Sequence, residues 1–311
     1  MFVSICVSTY KRPEGLRNLL TGLNQLTLDG VGAVDIEVVI VDNEAKGRAK
    51  EICHEFEPNF KWELKCFEEL RQGVTYARNK ALECIHSAAD FVVFIDDDEV
   101  PAPNWLDALL LAQKKYEADI VTGPVMPCFE SDSVPGWVLN GGYFEARKFA
   151  EGETLKVAFT NNTLVHTKLF REMSQTFDHK FALTGGEDTD FFMRAYKAGY
   201  KIVWTNSAVV YETIPESRTT ISWILKRGYR SWASHSLCES ILYPSIKVRL
   251  MRILKATTLV LMGVLYFPIS VFLGKHRLVS SFLLICRGFG SFSGLLGKNY
   301  QEYAQTNMPV N

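Results

Sequence analysis

A short apolar run that ends in four acids constrains this chain more than any other stretch. Residues 91–95 read Phe-Val-Val-Phe-Ile, and Asp96, Asp97, Asp98 and Glu99 follow at once. A run this short, rich in aromatic and β-branched residues, predicts a strand buried on both faces. The acids therefore begin where the strand ends, which is where ligands bind in open α/β sheets.

Adjacent carboxylates repel one another unless water or a cation screens their charge. Carboxylate oxygens suit Mg²⁺ or Mn²⁺, and either cation can also bridge to a diphosphate. The acids alone are compatible with two interpretations, a divalent-metal site that holds a phosphorylated ligand and a solvated acidic turn.

The first 125 residues alternate between strand patterns and helix patterns. Strands are predicted at 2–9, 36–43, 62–67, 91–95 and 119–123. Helices are predicted between them, the first beginning near Pro13, since proline is favoured in a first helical turn. This alternation predicts an α/β fold with a Rossmann-like, largely parallel sheet.

The pattern changes after residue 124. Residues 124–152 are irregular, and long loops inside compact domains are usually functional. Further strands are predicted at 156–166, 201–204 and 208–211, with helices after Gly186 and over 218–238. The composition then divides the chain of 311 residues into a catalytic domain over 1–240 and a basic, hydrophobic helical region over 241–311.

The C-terminal region combines positive charge with long apolar runs. Residues 246–311 carry eight Lys or Arg against one acid, whereas residues 1–245 have a net charge of −8. Apolar runs at 256–273 and from 278 to about 296 favour a membrane over nucleic acid as the anionic partner. The expected arrangement is a helical pair in the inner leaflet, and a hydrophobic hairpin that covers the catalytic domain or an oligomer interface is the alternative.

The seven cysteines are scattered and include no C-x-x-C pair. This pattern predicts a reduced, cytosolic setting without a disulfide framework or a zinc site. The first residues lack the basic and apolar segments of a signal peptide and predict a strand instead.

Five motifs in a fixed order carry a resemblance to a known family. They are Val7–Pro13, Asp42, Gly73–Asn79, Asp96–Asp98 and Gly186–Asp188. With them, residues 1 to about 235 resemble the family 2 glycosyltransferases of the GT-A fold. The resemblance implies a Rossmann-like, nucleotide-binding mixed sheet that is flanked by helices. The Gly185–Phe192 segment, with Trp223, Arg227 and Arg230 downstream, is most similar to glucosyltransferases that build bacterial exopolysaccharide repeat units such as succinoglycan.

The resemblance implies a UDP-sugar donor and assigns residues to it. Thr9, Tyr10 and Asp42 would hold the uracil ring, although turn and packing roles are also compatible with Thr9 and Tyr10. Arg12 and Arg78 would meet donor phosphates or ribose, or else form surface salt bridges. In the acidic run, Asp96 matches the ribose-side acid and Asp98 the direct ligand of Mn²⁺ or Mg²⁺. Asp97 belongs to the same donor motif and is expected to point the other way.

The resemblance also implies an inverting mechanism with Asp188 as catalytic base. At the start of a helix the dipole favours the ionised carboxylate that a base requires, and helix capping is the alternative role. Asp190 lies four residues before Arg194 and is expected to pair with it, whereas Asp188 has no charged residue at that spacing. Glu187 is expected to orient the acceptor, with loops around Trp137 and Asn162 shaping the acceptor site.

Two departures from the family limit this transfer. Many relatives place a metal-binding His near the end of a later strand, where this chain has Tyr211 and Glu212, so Glu212 is the substitute ligand considered. The Gln-x-x-Arg-Trp signature of processive members is absent, which favours addition of one sugar per acceptor. Arg227 and Arg230 lie three residues apart and are expected to neutralise the leaving diphosphate or to remain solvated.

The leading interpretation, which the resemblance implies, is a metal-dependent enzyme that transfers a sugar, with glucose expected, to a polyprenyl-diphosphate-linked saccharide at the cytoplasmic face of the bacterial inner membrane. A sugar-phosphate nucleotidyltransferase is an alternative, but it would show a glycine-rich N-terminal loop. A membrane-tethered binding module without turnover is the non-enzymatic alternative.

Overall fold

The computed structural model describes residues 1–45, 47–131 and 133–298. The chain forms two compact units. The first, here the sheet unit, comprises Met1–Met126 and Ala146–Glu212, and the second, here the helical unit, comprises Pro127–Glu145 and Thr213–Asn311.

The elements follow one another in the order that the patterns predict for most of the sheet unit. The strands are β1 (Phe2–Thr9), β2 (Asp35–Asp42), β3 (Glu63–Glu68), β4 (Phe91–Ile95), β5 (Glu99–Pro101), β6 (Ile120–Thr122), β7 (Val125–Phe129), β8 (Thr154–Leu155), β9 (Asn162–His166), β10 (Ile202–Trp204) and β11 (Val210–Ile214). The helices are α1 (Pro13–Asn24), α2 (Ala49–Phe56), α3 (Val74–Cys84), α4 (Trp105–Tyr116), α5 (Gly136–Leu139), α6 (Lys168–Glu172), α7 (Glu187–Lys197), α8 (Ile221–Leu242), α9 (Ile246–Phe272) and α10 (Lys275–Leu295).

An eight-stranded mixed sheet organises the sheet unit, in the order β3-β2-β1-β4-β9-β6-β10-β8. β1 pairs in parallel with β2 and β4, so the carboxyl ends of these three strands lie at one edge. The acids after β4 therefore lie at the edge where Thr9 and Asp42 end their strands, as the sequence predicts. β9 runs antiparallel to β4 and β6, so the sheet as a whole is mixed, as the resemblance to the GT-A fold implies.

Apolar side chains on both faces of this sheet form the core. Val3, Ile5 and Val7 face one cluster with α1, α2 and α4, whereas Cys6 faces a second cluster with α3 and α7. Phe91–Ile95 is buried at every position, as expected for a strand that is covered on both faces.

Three sequence expectations differ from the structure. The strand expected at 156–166 is confined to β9, the irregular segment contains β7 and α5, and the compact units do not divide near residue 240. The functional boundary between 1–240 and 241–311 stays a prediction. The compact units divide at residues 212 and 213, and 127–145 belongs to the helical unit. Apolar composition marks only α9 and α10, whereas α8 and the 127–145 segment join them through packing that composition does not reveal.

The helical unit consists mainly of α8, α9 and α10. Within the described residues, α9 and α10 are long and apolar enough to cross a membrane, by length and composition alone. Pro268 lies inside α9.

Asn162, expected near the acceptor, instead joins three parts of the sheet unit. Its side chain is completely buried, its Oδ1 accepts from Trp105 Nε1 at 2.7 Å, and its Nδ2 donates to the carbonyls of Pro124 and Ala208. Both N–H groups of the amide and one lone pair of its oxygen serve the fold, so the structure gives buried Asn162 a structural role that the sequence did not predict. Its expected part in shaping the acceptor site stays a prediction.

We expect Asn162→Ala to lower the free energy of unfolding by about 3 kcal/mol, since the change leaves buried donors and acceptors without partners. The measurement is thermal and denaturant unfolding of the full chain. Asn104 is the matched control, because it is exposed and its side chain does not cap α4. An Asn162→Ala protein with parental stability and a raised acceptor KM would instead restore the acceptor role.

Candidate active site

A pocket of about 260 Å³ opens beside the ends of β1 and β2. Its lining includes Thr9, Arg12, Asp42, Arg48 and Ile52, which join a strand-end acid to cationic and apolar side chains. The pocket therefore contains two of the three residues predicted to hold uracil. Tyr10 is half-buried beside it, with the Lys11 ammonium 5.1 Å from its ring centroid.

Backbone amides hold the Asp42 carboxylate in this pocket. Its Oδ1 accepts from Glu44 N at 2.9 Å and its Oδ2 from Ala49 N at 3.2 Å. Burial raises the pKa of Asp42, although these amides oppose the rise. Each oxygen retains a second lone-pair direction, so the carboxylate can still accept a ligand N–H.

Arg12 binds two of the acids that follow β4. Its Nη1 lies 2.8 Å from Asp97 Oδ1 and 2.9 Å from Asp98 Oδ2. Asp97 Oδ2 also accepts from Thr9 Oγ1 at 2.8 Å, and burial raises the pKa of Asp97 to about 6. The Asp97 side chain is thus buried and fixes the end of β1. Asp97 bonds to Thr9 and Arg12, two residues that line the pocket, and its expected part in donor binding stays a prediction.

Arg78 connects the acids after β4 to the start of α7. Its Nη2 donates to Asp96 Oδ1 at 3.0 Å and its Nη1 to Glu187 Oε1. The guanidinium is buried, whereas the Asp96 side chain is 37% exposed and so remains open to a ligand. Arg78 is expected at the donor phosphates or ribose, and this stays a prediction; in the structure the guanidinium holds Asp96 in position.

Glu187 is a buried acid with unusual electrostatics. Burial raises its pKa to about 7, and the Arg78 charge opposes that rise. Among the described residues its Oε2 has no hydrogen-bond partner, although the atom is buried. A carboxyl group in this state can bind a substrate hydroxyl or release a proton near neutral pH.

Two glycines set the start of α7 and thereby the position of Asp188. Gly185 and Gly186 have φ of +70° and +95°, a conformation that glycine adopts without steric cost. Asp188 is half-buried, and its Oδ1 accepts from Thr189 N at 2.5 Å. Asp190 pairs with Arg194 at 2.8 Å as predicted, whereas Asp188 forms no ion pair with any residue that the structure describes.

Asp96, Asp98 and Glu212 are the carboxylates expected to bind the implied Mn²⁺ or Mg²⁺. Glu212 on β11 lies opposite Glu99 on β5, and the described residues contain no group of three His, Cys, Asp or Glu side chains that could hold a metal ion. Asp96, Asp98 and Glu212 are therefore not assembled as a three-ligand site. The remaining set fits a cation held by one or two carboxylates and by substrate phosphates, which is a common arrangement for Mg²⁺.

Three residues that the sequence predicts for the site, Trp137, Arg227 and Arg230, belong to the helical unit. The Lys275 ammonium is 4.8 Å from the ring centroid of Trp137, and the Arg227 guanidinium is 5.1 Å from that of Trp223. Arg230 is half-buried on α8. These contacts give Arg227 an aromatic partner within its own unit.

Sequence reasoning missed two polar residues of the site. Asn43 Nδ2 donates to the carbonyls of Glu69 and Arg71, and Asn43 Oδ1 accepts from Gly73 N at 2.8 Å. Glu99 is buried and its Oε2 accepts from Asp96 N at 2.9 Å. Asn43 could have been assigned to the site because it directly follows Asp42, and Glu99 because it is the fourth acid of the run after β4.

Comparisons with known proteins agree with this geometry. The family model described as "Glycosyl transferase family 2" matches residues 4–174, and that of "Glycosyl transferase family group 2" matches 91–292. The succinoglycan biosynthesis protein ExoM of Rhizobium meliloti is 30% identical over 236 residues, which cover 76% of this chain and 74% of ExoM. The glycosyltransferase AglE of Haloferax volcanii is 24% identical over 67% of this chain and 66% of its own length.

The fold is shared with solved structures. The crystal structure of residues 1–349 of Staphylococcus aureus TarS superposes with a TM-score of 0.55 at 17% identity, covering 96% of this chain and 93% of that one. The same TarS segment in complex with UDP gives a TM-score of 0.52 at 15% identity, with the same coverage.

The matched family models cover more than half of the chain, the ordered motifs occur at the strand ends, and the mixed sheet is shared with TarS. This chain therefore belongs to the family 2 glycosyltransferases and has the GT-A fold.

Proposed function

We propose that this enzyme transfers one sugar, glucose by its similarity to succinoglycan-type enzymes, from a UDP-sugar to a lipid-linked saccharide with inversion. Its relation to ExoM supports a role in bacterial surface or exopolysaccharide synthesis. The UDP and UDP-GlcNAc complexes of TarS support a uridine-diphosphate donor. The two apolar C-terminal helices support a location at the cytoplasmic face of the inner membrane, beside a polyprenyl-diphosphate acceptor.

The bridge that Arg78 makes between Asp96 and Glu187 is the observation that carries this proposal. It links the strand end that is expected to hold the donor to the residue directly before the proposed base. Donor and acceptor groups are thereby held by one connected set of charges, which is what a transfer between two bound substrates requires.

The proposed reaction uses the residues as follows. The pocket with Thr9 and Asp42 binds the uracil, and Asp96 contacts the ribose side of the donor. Asp188 accepts the proton of the acceptor hydroxyl as that oxygen attacks the anomeric carbon. The new glycosidic bond forms as the bond from the anomeric carbon to the UDP oxygen breaks on the opposite face, and UDP leaves with that electron pair.

A divalent cation bound by Asp98, with Asp96 as the second carboxylate considered, would neutralise the charge of the leaving diphosphate. Arg12 and Arg78 already supply fixed positive charge at the same strand end. Glu187 orients the acceptor hydroxyl through its otherwise unpartnered Oε2.

The direct test measures UDP release from candidate UDP-sugars, with and without Mn²⁺, in the presence of lipid-linked saccharide extracts. Acceptor-dependent UDP release that requires a divalent cation is expected. If no donor gives acceptor-dependent release although UDP binds, the non-catalytic binding module would be the correct interpretation.

Asp188→Asn is expected to reduce the transfer rate by about 10² to 10⁴, because the amide cannot accept the acceptor proton. UDP-sugar binding should stay within several-fold of the parent. Asp190→Asn is the matched control, since it breaks the ion pair with Arg194 and should mainly lower the unfolding temperature. Near-normal turnover of Asp188→Asn would rule this residue out as the base.

Asp98→Ala is expected to abolish the enhancement of UDP binding by Mn²⁺, measured by titration calorimetry. Glu99→Gln provides the control at the same turn, because Gln can still accept the hydrogen bond from Asp96 N. If Mn²⁺ still strengthens UDP binding to the Asp98→Ala protein, the cation is held elsewhere.

The raised pKa of Glu187 predicts a pH dependence. A carboxyl group with a pKa of about 7 is mostly ionised at pH 8 and mostly protonated at pH 6, so the ion pair with Arg78 weakens as the pH falls. We expect kcat/KM to decrease from pH 8 to pH 6 with an inflection near 7. The inflection should disappear in Glu187→Gln, and its persistence there would assign the titration to another group.

A further inference from the structure

Helix α9 exposes apolar side chains around most of its circumference. Only Arg252, Ala256, Gly263 and Ser270 are buried, which is one narrow stripe along 27 residues. The exposed side chains include Leu254, Leu261, Met262, Val264, Leu265, Ile269, Val271 and Phe272. A helix that is apolar on nearly all sides is typical of a lipid or protein interior rather than of a water-exposed surface.

Positively charged side chains lie at both ends of the apolar surface of α9. The first turns of α9 expose Lys247, Arg249 and Lys255, and the turn into α10 exposes Lys275 and Arg277. Neither α9 nor α10 contains an acid. An apolar centre between basic ends fits an anionic lipid surface, where cations bind headgroups and apolar side chains enter the hydrocarbon.

Helix α10 lies between the other two long helices. It is antiparallel to α9, with the Ser281 hydroxyl donating to Gly263 O at 2.7 Å. It runs in the same direction as α8, since Ile224 packs on Val279 near the two helix starts. Further along, an added Cβ at Gly294 would lie 2.2 Å from Ala233 O. Helix α10 therefore cannot cross a bilayer without α8 crossing beside it.

Helix α8 is a poor transmembrane helix. It carries the charged or titratable side chains of Lys226, Arg227, Arg230, His235 and Glu239, of which Glu239 is paired with Arg252 on α9 and Lys226 and Arg227 are exposed. Such residues are rare and costly in the hydrocarbon core unless they face a protein interior or a polar cavity. Crossing by the whole three-helix layer is therefore unfavourable.

A second constraint fixes the side of the membrane on which the turn between α9 and α10 lies. The hydroxyl of Tyr143 donates to the carbonyl of His276 in that turn at 2.5 Å. Ala146, where the chain enters the sheet unit, lies three residues after Tyr143, and three residues span at most about 11 Å. This is far less than the hydrocarbon thickness of about 30 Å. A turn bonded to Tyr143 therefore lies on the same side of a bilayer as Ala146.

We propose that α9 embeds along its length in one anionic leaflet, on the side of the catalytic residues, and that neither α9 nor α10 crosses the bilayer. The proposed function is needed only to identify this leaflet as the cytoplasmic one. Aromatic residues beside the turn support the same arrangement, because Trp137 and Tyr143 contact Lys275 and His276, and such rings favour the headgroup level.

The first experiment measures sedimentation of the full chain with vesicles of phosphatidylcholine alone and of phosphatidylcholine with phosphatidylglycerol. Binding should be at least tenfold stronger to the anionic vesicles. The double change Leu265→Gln and Ile269→Gln should weaken it about a hundredfold, since each removes an exposed apolar side chain from lipid. Leu70→Gln is the matched control, because Leu70 is 71% exposed in the sheet unit and should not alter binding.

The second experiment determines on which side each helix end lies. Cysteines are placed singly at Ser245, between α8 and α9, and at His276, between α9 and α10. The full chain, expressed in bacterial cells, is labelled with a membrane-impermeant maleimide before and after lysis. Both positions should react only after lysis. Reaction of either position before lysis would show a spanning helix and overturn the proposal.

Two further outcomes would also overturn it. Equal binding to neutral vesicles would exclude an anionic surface as the partner. The parent chain could instead fail to bind vesicles and self-associate. If the Leu265→Gln and Ile269→Gln changes then dissociated it, α9 would be an interface between copies of the chain. Neither outcome bears on UDP release, so failure of this assignment and failure of the proposed function are distinguishable.

Discussion

Four adjacent acids at the end of β4, of which Asp97 and Glu99 are buried, form the constraint on which the rest of the site depends. Each acid is accommodated differently. Asp96 has Arg78, Asp97 and Asp98 share Arg12, and Glu99 is so buried that its pKa is raised well above the ordinary value. Removing water from charged groups is costly unless they are paired, so both arginines have to be present before the acids can be packed. Arg12, which follows β1, and Arg78 on α3 are these partners, and Arg78 also binds Glu187 at the start of α7.

The features of the site that the sequence predicts correctly are those encoded by residues close together in the chain. The strand before the acids, the glycines before α7 and the Asp190–Arg194 pair are encoded within a few residues of one another. The placement of three strand ends at one edge followed from the general behaviour of parallel sheets. These features were therefore predicted correctly from the sequence.

The features that sequence reasoning missed depend on partners far apart in the chain. Arg78 looked like a phosphate ligand because its helix start suggested one, but its carboxylate partners lie 18 and 109 residues away. Asn162 looked accessible in a strand, and it is buried because Trp105 and two distant carbonyls converge on it. The 127–145 segment joins α10 through Tyr143, a contact 133 residues apart. No spacing rule reports such pairs, since they exist only once the sheet and helices have packed.

The position of Arg12 has a consequence for how a cation would enter the proposed site. One guanidinium nitrogen lies within 3 Å of carboxylate oxygens of both Asp97 and Asp98, so it already provides positive charge at Asp98. A divalent cation that binds Asp98 alone would lie close to this guanidinium and be repelled by it. A donor diphosphate changes that balance, because it offers Arg12 a new anionic partner and brings oxygen ligands for the cation. On the proposed function, cation and donor would therefore bind together rather than in succession, and Arg12 would make the acids selective for a cation that is accompanied by a diphosphate.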